Sequence, residues 1–299
     1  MKCLCVLFVA LFISSLQLAA QTDSTGRRLD IPVTVDLQRA VVDSPGITLQ
    51  KADLQVYKLK PAVDIPLTAI GTAWSLYAFT KIYDKDSSTA AEILALNRND
   101  LASYNRWGTN HYNPEAFTSS NYFFYGSMPL PFLFLLDGKV RKDFGKIMFL
   151  YLEAMSITGL LYTGSVYFHD KYRPYTYNPD VPMSKRTRGG GRNSFFAGHV
   201  ALVATSTFYM AKVYADYHPN SSLKWLPYTI ASISTGATAY LRGRAGEHFL
   251  SDIIIGTVQG TLTGLLVPHF HKNPLIKNEN VSLVPYYGRE KGLSLVYKF

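Results

Sequence analysis

The chain has 299 residues, of which 47% are hydrophobic and 14% aromatic, and its formal net charge is +9. This composition excludes collagen-like, disordered and coiled-coil proteins. The mean hydropathy of +0.03 is high for a soluble enzyme and low for a protein that crosses a membrane many times, so both classes stay open. The positive charge favours an anionic partner such as a phosphate, a lipid head group or a nucleic acid.

Residues 1–20 have the pattern of a secretory signal peptide. Lys2 supplies the positive charge, an apolar run follows, and Ala19 and Ala20 offer a cleavage site. A retained membrane anchor is the alternative. Both cysteines lie in this segment, so its removal leaves a chain with no thiol and no disulfide.

The two flanking regions have strand-like patterns. Residues 21–63 are polar and alternating, which predicts an extended N-terminal arm. In the C-terminal tail, 273–299, two apolar runs flank a glycine-rich turn and predict a short β-hairpin. A terminal aromatic strand is also typical of outer-membrane barrels, but one hairpin cannot close a barrel, so a packed tail is expected.

Six apolar segments fill the middle of the chain, and most have the roughly 17–25 residues that can cross a bilayer. Glu153, Lys212 and two prolines interrupt several of them, which suits helices packed on one another as much as helices facing lipid. The segments predict one all-α domain over 64–272 with a six-helix core bundle. They cover residues 64–83, 121–137, 144–168, 199–217, 224–240 and 249–268.

Three groups of polar residues adjoin these helices. They are Lys171–Pro174 after the third helix, Ser194–His199 before the fourth, and Arg242–Asp252 before the sixth. Because antiparallel neighbours alternate in direction, the C-terminal ends of helices three and five and the N-terminal ends of helices four and six lie at one end of a bundle. The three groups are therefore predicted to converge on one site.

The chemistry of these groups points to an anionic substrate. His248 and Asp252 are four residues apart, so on a helix they share a face and the carboxylate can hold one imidazole nitrogen. The other nitrogen is then free as a nucleophile, although a structural ion pair is the alternative. Arg173 and Arg242 offer two planar guanidinium groups for a tetrahedral oxyanion.

Two further groups complete the predicted site. Gly198 presents a backbone N–H at a helix start, where an anion is favoured, and His199 can act as a second acid or base. Together these residues predict phosphoryl transfer. Neither the Cys and His spacing of a zinc site nor a carboxylate cluster for magnesium is found, so we expect no metal and no other cofactor.

The three groups resemble the signature of the type 2 phosphatidic acid phosphatase superfamily, which also contains vanadium haloperoxidases and soluble bacterial acid phosphatases. The family pattern is Lys-x6-Arg-Pro, then Pro-Ser-Gly-His, then Ser-Arg-x5-His-x3-Asp. The resemblance covers about residues 64–268 and implies the helical bundle of that family. It implies that His248 attacks phosphorus and becomes phosphohistidine, that Asp252 orients it, and that His199 protonates the leaving oxygen and then activates water.

The resemblance also implies that Arg173, Arg242 and the N–H of Gly198 hold the phosphate oxygens. Four departures from the family pattern remove two phosphate-binding groups, each worth roughly 1.5–3 kcal/mol. We hypothesise that Lys171 or the basic loop 185–192 compensates; a solvated loop is the alternative. The departures are Val166 in place of Lys, Phe196 and Ala197 in place of Pro and Ser, and Leu241 in place of Ser.

These expectations favour a metal-independent phosphatase that hydrolyses a phosphate or diphosphate ester, with a phosphorylated lipid as the preferred substrate. The alternatives are a vanadate-dependent haloperoxidase and a degenerate phosphate- or lipid-binding protein. A membrane is expected as a partner. Nucleic acid is not, because the basic loop is short and lacks interleaved aromatic residues.

The signals for localisation conflict. The signal pattern predicts export to the bacterial cell envelope, and the basic loop 138–146 favours a cytoplasmic position for itself and hence a periplasmic site. Counting crossings after a cleaved signal places the site in the cytoplasm instead. We expect a site that faces the periplasm, in a protein either embedded in or attached to the membrane.

Overall fold

The computed structural model describes the backbone of residues 55–273, 281–287 and 291–297. The predicted signal peptide, 1–20, and residues 21–54 of the predicted arm lie outside the described residues. Within the described ranges the chain is mostly helical, with nine α-helices. They are α1 Pro61–Tyr83, α2 Ala90–Leu94, α3 Ser103–Arg106, α4 Pro114–Ser127, α5 Phe144–Phe168, α6 Met183–Arg186, α7 Gly198–Tyr217, α8 Leu226–Arg244 and α9 Leu250–His271.

Short 3₁₀-helices and two strands complete the described elements. The strands β1, Val281–Tyr287, and β2, Lys291–Tyr297, pair in a two-stranded sheet. The residues between them are outside the described part, so the hairpin turn stays a prediction. The 3₁₀-helices are Arg98–Asp100, Trp107–Asn110, Leu130–Leu136, Arg141–Asp143, Pro174–Tyr177 and Gly189–Arg192.

The prediction of a single helix over 121–137 is wrong. Helix α4 ends at Ser127, and a 3₁₀-helix follows over Leu130–Leu136. Pro129 and Pro131 lie at this junction, and a proline has no N–H to donate and clashes with the preceding turn. Two prolines so close together remove two backbone donors, which accounts for the end of the α-helix in this segment although its residues are apolar.

Helices α7 and α9 pack in parallel along a stripe of glycines. The three glycines lie four residues apart on one face of α9, and the α7 residues they meet ascend in the same order. The N-terminal ends of the two helices therefore lie together. The backbones approach so closely along this stripe that only glycine, which has no side chain, fits there. A Cβ added at Gly256, Gly260 or Gly264 would lie 2.7, 2.1 or 2.6 Å from the carbonyl oxygen of Ala197, Ala201 or Thr205.

Helix α5 runs antiparallel to α7. The Ser165 hydroxyl near the end of α5 donates to the Phe195 carbonyl, 3.1 Å away, just before α7 begins. At the opposite end, the Tyr209 hydroxyl of α7 donates to the Ile147 carbonyl at the start of α5 over 2.6 Å. Ala239, near the end of α8, packs on the residues where α7 and α9 begin. The predicted convergence of these four helix ends is confirmed.

Two helical stretches of the described part are long and apolar enough to cross a membrane. They are Arg141–Phe168 and Leu250–His271, each with a mean hydropathy of 1.4 in its most apolar window. The outward face of α9 is apolar along its length. Its exposed apolar side chains are Leu250, Ile254, Ile255, Val258, Leu262 and Phe270.

Candidate active site

The candidate active site lies where the ends of α5, α7, α8 and α9 meet. Arg173 follows α5, His199 is in the first turn of α7, Arg242 is in the last turn of α8, and His248 precedes α9. Burial and then the positive charges of Arg173 and Arg242 hold the pKa of both imidazoles well below the usual 6.5. The two histidines and the two arginines are therefore within electrostatic reach of one another.

The His248 ring is buried and held by a backbone carbonyl. Its Nδ1 lies 2.7 Å from the carbonyl oxygen of Ser194. A carbonyl oxygen only accepts, so Nδ1 carries the proton. In the neutral ring Nε2 then keeps its lone pair, which is the form a nucleophilic imidazole needs.

Asp252 does not share a helical face with His248, which corrects the expectation from their spacing. The N-cap of α9 is Phe249, so His248 precedes the helix and the four-residue periodicity does not apply. The Asp252 carboxylate accepts hydrogen bonds from the Ser194 hydroxyl at 2.6 Å, from Lys171 Nζ at 2.5 Å and from the Phe249 N–H at 3.2 Å. Its connection to His248 therefore runs through Ser194.

Lys171 lies on the Asp252 side of the site. Besides Asp252, its ammonium group contacts the Ser251 hydroxyl at 3.3 Å and lies 5.4 and 5.0 Å from the ring centroids of Phe195 and Phe249. The Asp252 carboxylate neutralises the positive charge of Lys171, which would otherwise attract phosphate. The role of Lys171 in binding phosphate therefore stays a prediction, and its described contacts position Asp252.

The Arg173 guanidinium is held on two sides. Its Nε donates to the Gly190 carbonyl over 3.0 Å, and its Nη1 donates to the Glu247 carboxylate. Sequence analysis missed Glu247 because it lies in the unspecified spacer of the third motif. The sequence did offer one indication of its role, because Glu247 directly precedes His248.

The Arg242 side chain is buried and its guanidinium is only partly hydrogen-bonded. Its Nη2 donates to Asn121 Oδ1 over 2.9 Å, and its guanidinium carbon lies 5.0 Å from the centroid of the Phe117 ring. Within the described part of the chain, its buried Nε has no hydrogen-bond partner. Burial lowers the Arg242 pKa to about 10, and the positive charge of Arg173 adds to that effect. A bound anion would accept a hydrogen bond from this Nε and would balance the buried positive charge.

Helix α4 covers one side of the site. Phe117, Asn121 and Phe124 lie on one face of it, at the spacing of successive helical turns. Phe117 and Asn121 contact Arg242, and the centroid of the Phe124 ring lies 4.4 Å from that of the His199 ring. Sequence analysis missed these residues because α4 carries no motif and is distant from the other groups along the chain.

Gly198 begins α7 in a place where a side chain does not fit. A Cβ at this position would lie 2.5 Å from the ring of Tyr162. The first N–H groups of a helix have no partner within the helix, and its dipole favours an anion there. The position of Gly198 at the start of α7 is as expected, and its role in binding an anion stays a prediction.

Three of the four departures from the family pattern belong to the core. Val166 and Phe196 are buried in one apolar cluster with Tyr162, and Ala197 is buried in another with Ile253. Val166 fills the position of the missing lysine, and within the described residues the Lys85 ammonium donates to its backbone carbonyl over 2.8 Å. The site therefore depends on its two arginines and on groups from other segments.

The basic loop 185–192 is packed against the protein rather than free. Arg192 donates to the Asp86 carbonyl over 2.7 Å. Lys185 instead lies among three rings, and one of them, Phe117, also lies beneath Arg242. Lys185 thus adjoins the site. Its Nζ is 4.6, 5.8 and 5.1 Å from the ring centroids of Tyr112, Phe117 and Tyr175.

Residues 147–275 match the family model described as the PAP2 superfamily. This region contains all three motifs, and the match confirms the resemblance inferred from them. LpxE from Aquifex aeolicus is a similar solved structure, with 20% identity over 56% of this chain and 96% of its own, and a TM-score of 0.40. A transmembrane PAP2-type phosphatidylglycerolphosphate phosphatase from Bacillus subtilis has 18% identity over 69% of this chain and 94% of its own, with a TM-score of 0.41. No curated protein matches the chain.

Proposed function

We propose that the protein is a phosphatase that transfers the phosphoryl group of a phosphate or diphosphate ester to His248. The observation that carries this proposal is the tautomer of the buried His248 ring. Its Nδ1–H donates to the Ser194 carbonyl, no hydrogen bond to Nε2 is found within the described residues, and the charges of Arg173 and Arg242 act on the ring. The match of residues 147–275 to the PAP2 superfamily supports the same chemistry.

In the first step, Nε2 of His248 attacks phosphorus and the bond from phosphorus to the leaving oxygen breaks. His199 gives its proton to that oxygen. The negative substrate favours the protonated form of His199, which opposes the effect of the two arginines on its pKa. Arg173 and Arg242 stabilise the charge on the phosphoryl oxygens, and the Ser194 carbonyl stabilises the positive ring of phosphohistidine.

In the second step, a water molecule replaces His248 on phosphorus. His199 takes a proton from the water as its oxygen attacks, and the bond between phosphorus and Nε2 breaks. Inorganic phosphate leaves, His248 returns to its neutral form and His199 is protonated for the next cycle. His248, His199 and the two arginines thus account for both steps, with water as the second nucleophile.

A phosphorylated lipid fits the surface around this site. Contiguous exposed apolar side chains mark contacts with a membrane or another protein, and α9 carries such a face along its whole length. Among the described residues, this helix is also one of the two helical stretches that are long and apolar enough to cross a membrane. We infer an exported protein of the bacterial envelope whose site faces the periplasm and takes its substrate from the bilayer surface.

We assign to Lys185 the binding of a second anionic group of the substrate. Its ammonium group has three aromatic neighbours, and Phe117 joins it to Arg242. Cation–π contacts hold the charge in place without neutralising it, unlike the carboxylate that pairs with Lys171. This arrangement supports a diphosphate or a lipid with an acidic head group.

Phosphate release tests the proposal. The full chain in detergent micelles, without added divalent cations, is given phosphatidate, a polyprenyl diphosphate and p-nitrophenyl phosphate. We expect release from the lipid esters, its loss in His248→Ala, and full retention in His169→Ala, which changes an exposed histidine. No release from any ester, release that survives in His248→Ala, or bromide oxidation that requires vanadate in place of release would contradict the proposal.

A further inference from the structure

Three buried titratable side chains meet far from the candidate active site. Asp64 of α1, Glu153 of α5 and His271 at the end of α9 are 2%, 3% and 8% exposed. One ligand atom from each lies within 4.8 Å of the other two. Helix α9 has 22 residues, so this Asp64–Glu153–His271 cluster lies about 30 Å along it from the end that adjoins His248.

Backbone groups orient two members of the cluster. Nδ1 of His271 donates to the Val267 carbonyl over 2.7 Å, so in the neutral ring Nε2 holds a lone pair. That Nε2 lies 3.2 Å from Asp64 Oδ1 and 3.8 Å from Glu153 Oε2. The other Asp64 oxygen accepts the Lys60 N–H over 2.5 Å. Such outer hydrogen bonds from a ring nitrogen and a carboxylate are typical of metal ligands.

The cluster carries more negative charge than its surroundings balance. Glu153 Oε2 is buried and, among the described residues, has no hydrogen-bond partner. Within the same residues, the ion pairs of Asp64 and Glu153 are with His271 alone, and the adjacent Lys272 ammonium pairs with Asp216. Two buried carboxylates with one imidazole between them are costly, because a single imidazole can balance at most one of the two charges, and a divalent cation would offset both.

We propose that Asp64, Glu153 and His271 bind a divalent transition-metal ion, with Zn²⁺ as the best fit. Tetrahedral zinc with bonds of about 2.0–2.2 Å places neighbouring ligand atoms about 3.3–3.6 Å apart. The measured separations from His271 Nε2, 3.2 and 3.8 Å, bracket this range. An imidazole with two carboxylates suits Zn²⁺ better than Mg²⁺ or Ca²⁺, which prefer oxygen ligands alone.

The proposed ion would be structural and independent of phosphoryl transfer. It joins α1, α5 and α9 at the end of the bundle opposite the site. The backbone of the residues before α1 also pairs there, since the Lys58 N–H donates to the His271 carbonyl over 2.8 Å. Sequence analysis expected no metal because the three ligands come from separate helices and form no spacing pattern.

Metal binding by the full chain tests the inference. The detergent-solubilised protein is stripped with a chelator, dialysed against Zn²⁺ and assayed for bound zinc by mass spectrometry and for its Tm. We expect one zinc per chain and a higher Tm with zinc. In Glu153→Gln, which preserves size, we expect at least the roughly 10- to 100-fold loss of affinity that changes near a metal cause.

Asp137→Asn is the matched control, because Asp137 pairs with His218 at 2.6 Å in a two-residue contact of the same chemistry. It should keep the zinc and the shift in Tm. If Glu153→Gln does not fold, the wild-type protein is loaded with Co²⁺ in place of Zn²⁺ and its visible absorption is measured. We expect the intense bands of tetrahedral Co²⁺. Wild-type protein that binds no zinc and gives no such bands overturns the inference, as does equal loss of zinc in both variants.

Discussion

The backbone carbonyl of Ser194 accepts the Nδ1–H of His248 over 2.7 Å, so the second motif fixes the ring of the third. The Ser194 hydroxyl donates in turn to Asp252 over 2.6 Å. A carbonyl cannot become a competing base, and it selects one tautomer of the ring. Asp252 contributes by fixing the loop that carries the carbonyl.

Replacing Asp252 with Asn should lower kcat and leave KM nearly unchanged, because Asp252 positions Ser194 and does not contact substrate. Loss of a charged hydrogen bond costs about 1.5–3 kcal/mol, or about 10- to 150-fold in rate. Ser194→Ala keeps the carbonyl and should lose less. Steady-state kinetics with a lipid ester check both. The double variant should be no slower than Asp252→Asn, since the residues act in series; a rise in KM at constant kcat would refute this role.

Replacing Arg242 with Gln should lower kcat/KM by about 10- to 150-fold, because it removes a charged donor to phosphate. Its buried Nε, which has no hydrogen-bond partner among the described residues, is the donor we expect phosphate to use. Arg244→Gln, two residues away on the same helical turn, is the control and should retain activity. Equal kcat/KM in the two variants would exclude Arg242 from phosphate binding.

The rate should depend on pH through His248. Burial and then the charges of Arg173 and Arg242 lower its pKa, so the neutral nucleophile persists below pH 6.5. The acid limb of kcat/KM, which reports the free enzyme, is therefore expected below pH 6.5. Arg173→Gln removes one positive charge and should move that limb upward, while Arg244→Gln should not. The variants are compared with the same substrate, so that ionisation of the substrate affects every profile equally. An acid limb that stays in place or moves to lower pH in Arg173→Gln would contradict the electrostatic effect of Arg173 on His248.

Replacing Gly260 with Ala should destabilise the fold, because the new Cβ would lie 2.1 Å from the Ala201 carbonyl oxygen. Overpacking of this kind costs about 1–3 kcal/mol, and Tm falls by about 2–4 °C for each kcal/mol in a domain of this size. Gly236→Ala in α8 is the control, since no atom of the described part of the chain lies within 4 Å of its added Cβ, and it should stabilise by about 0.5–1 kcal/mol. Thermal unfolding compares them; equal Tm values would mean that α7 and α9 do not pack as described.

Replacing Lys185 with Met should raise KM for a polyprenyl diphosphate and leave KM for p-nitrophenyl phosphate unchanged. The longer substrate has a second anionic group, and the smaller one has only the group that the arginines bind. Lys185→Arg keeps the charge and the contacts with the three rings, so it should restore most of the affinity. A parallel rise in KM for both substrates would show that Lys185 supports the site only through packing.

The helices and the convergence of their ends were accessible from the sequence, whereas several partners were not. The apolar run over 121–137 has helical length, yet Pro129 and Pro131 divide it. The spacing of His248 and Asp252 predicted a shared face, which fails because the helix begins after Phe249.

Contacts between distant segments lay beyond sequence reasoning. Asn121 and Arg242 are 121 residues apart, and neither type of residue identifies the other as its partner. The same holds for Asp64 and His271, which meet because α1 and α9 both pack against α5. A sequence motif identifies the site residues within one segment. Only the folded structure shows which side chains from other segments contact them.

The most direct test of phosphoryl transfer to His248 is rapid-quench trapping of the phosphorylated protein with a ³²P-labelled ester. The account predicts transient label, labile to acid and stable to base, in the wild-type chain and none in His248→Ala. With an activated ester such as p-nitrophenyl phosphate, His199→Ala should accumulate the label, because water attack then lacks its base. Turnover with no trapped label in the wild type, or label that persists in His248→Ala, would contradict the account.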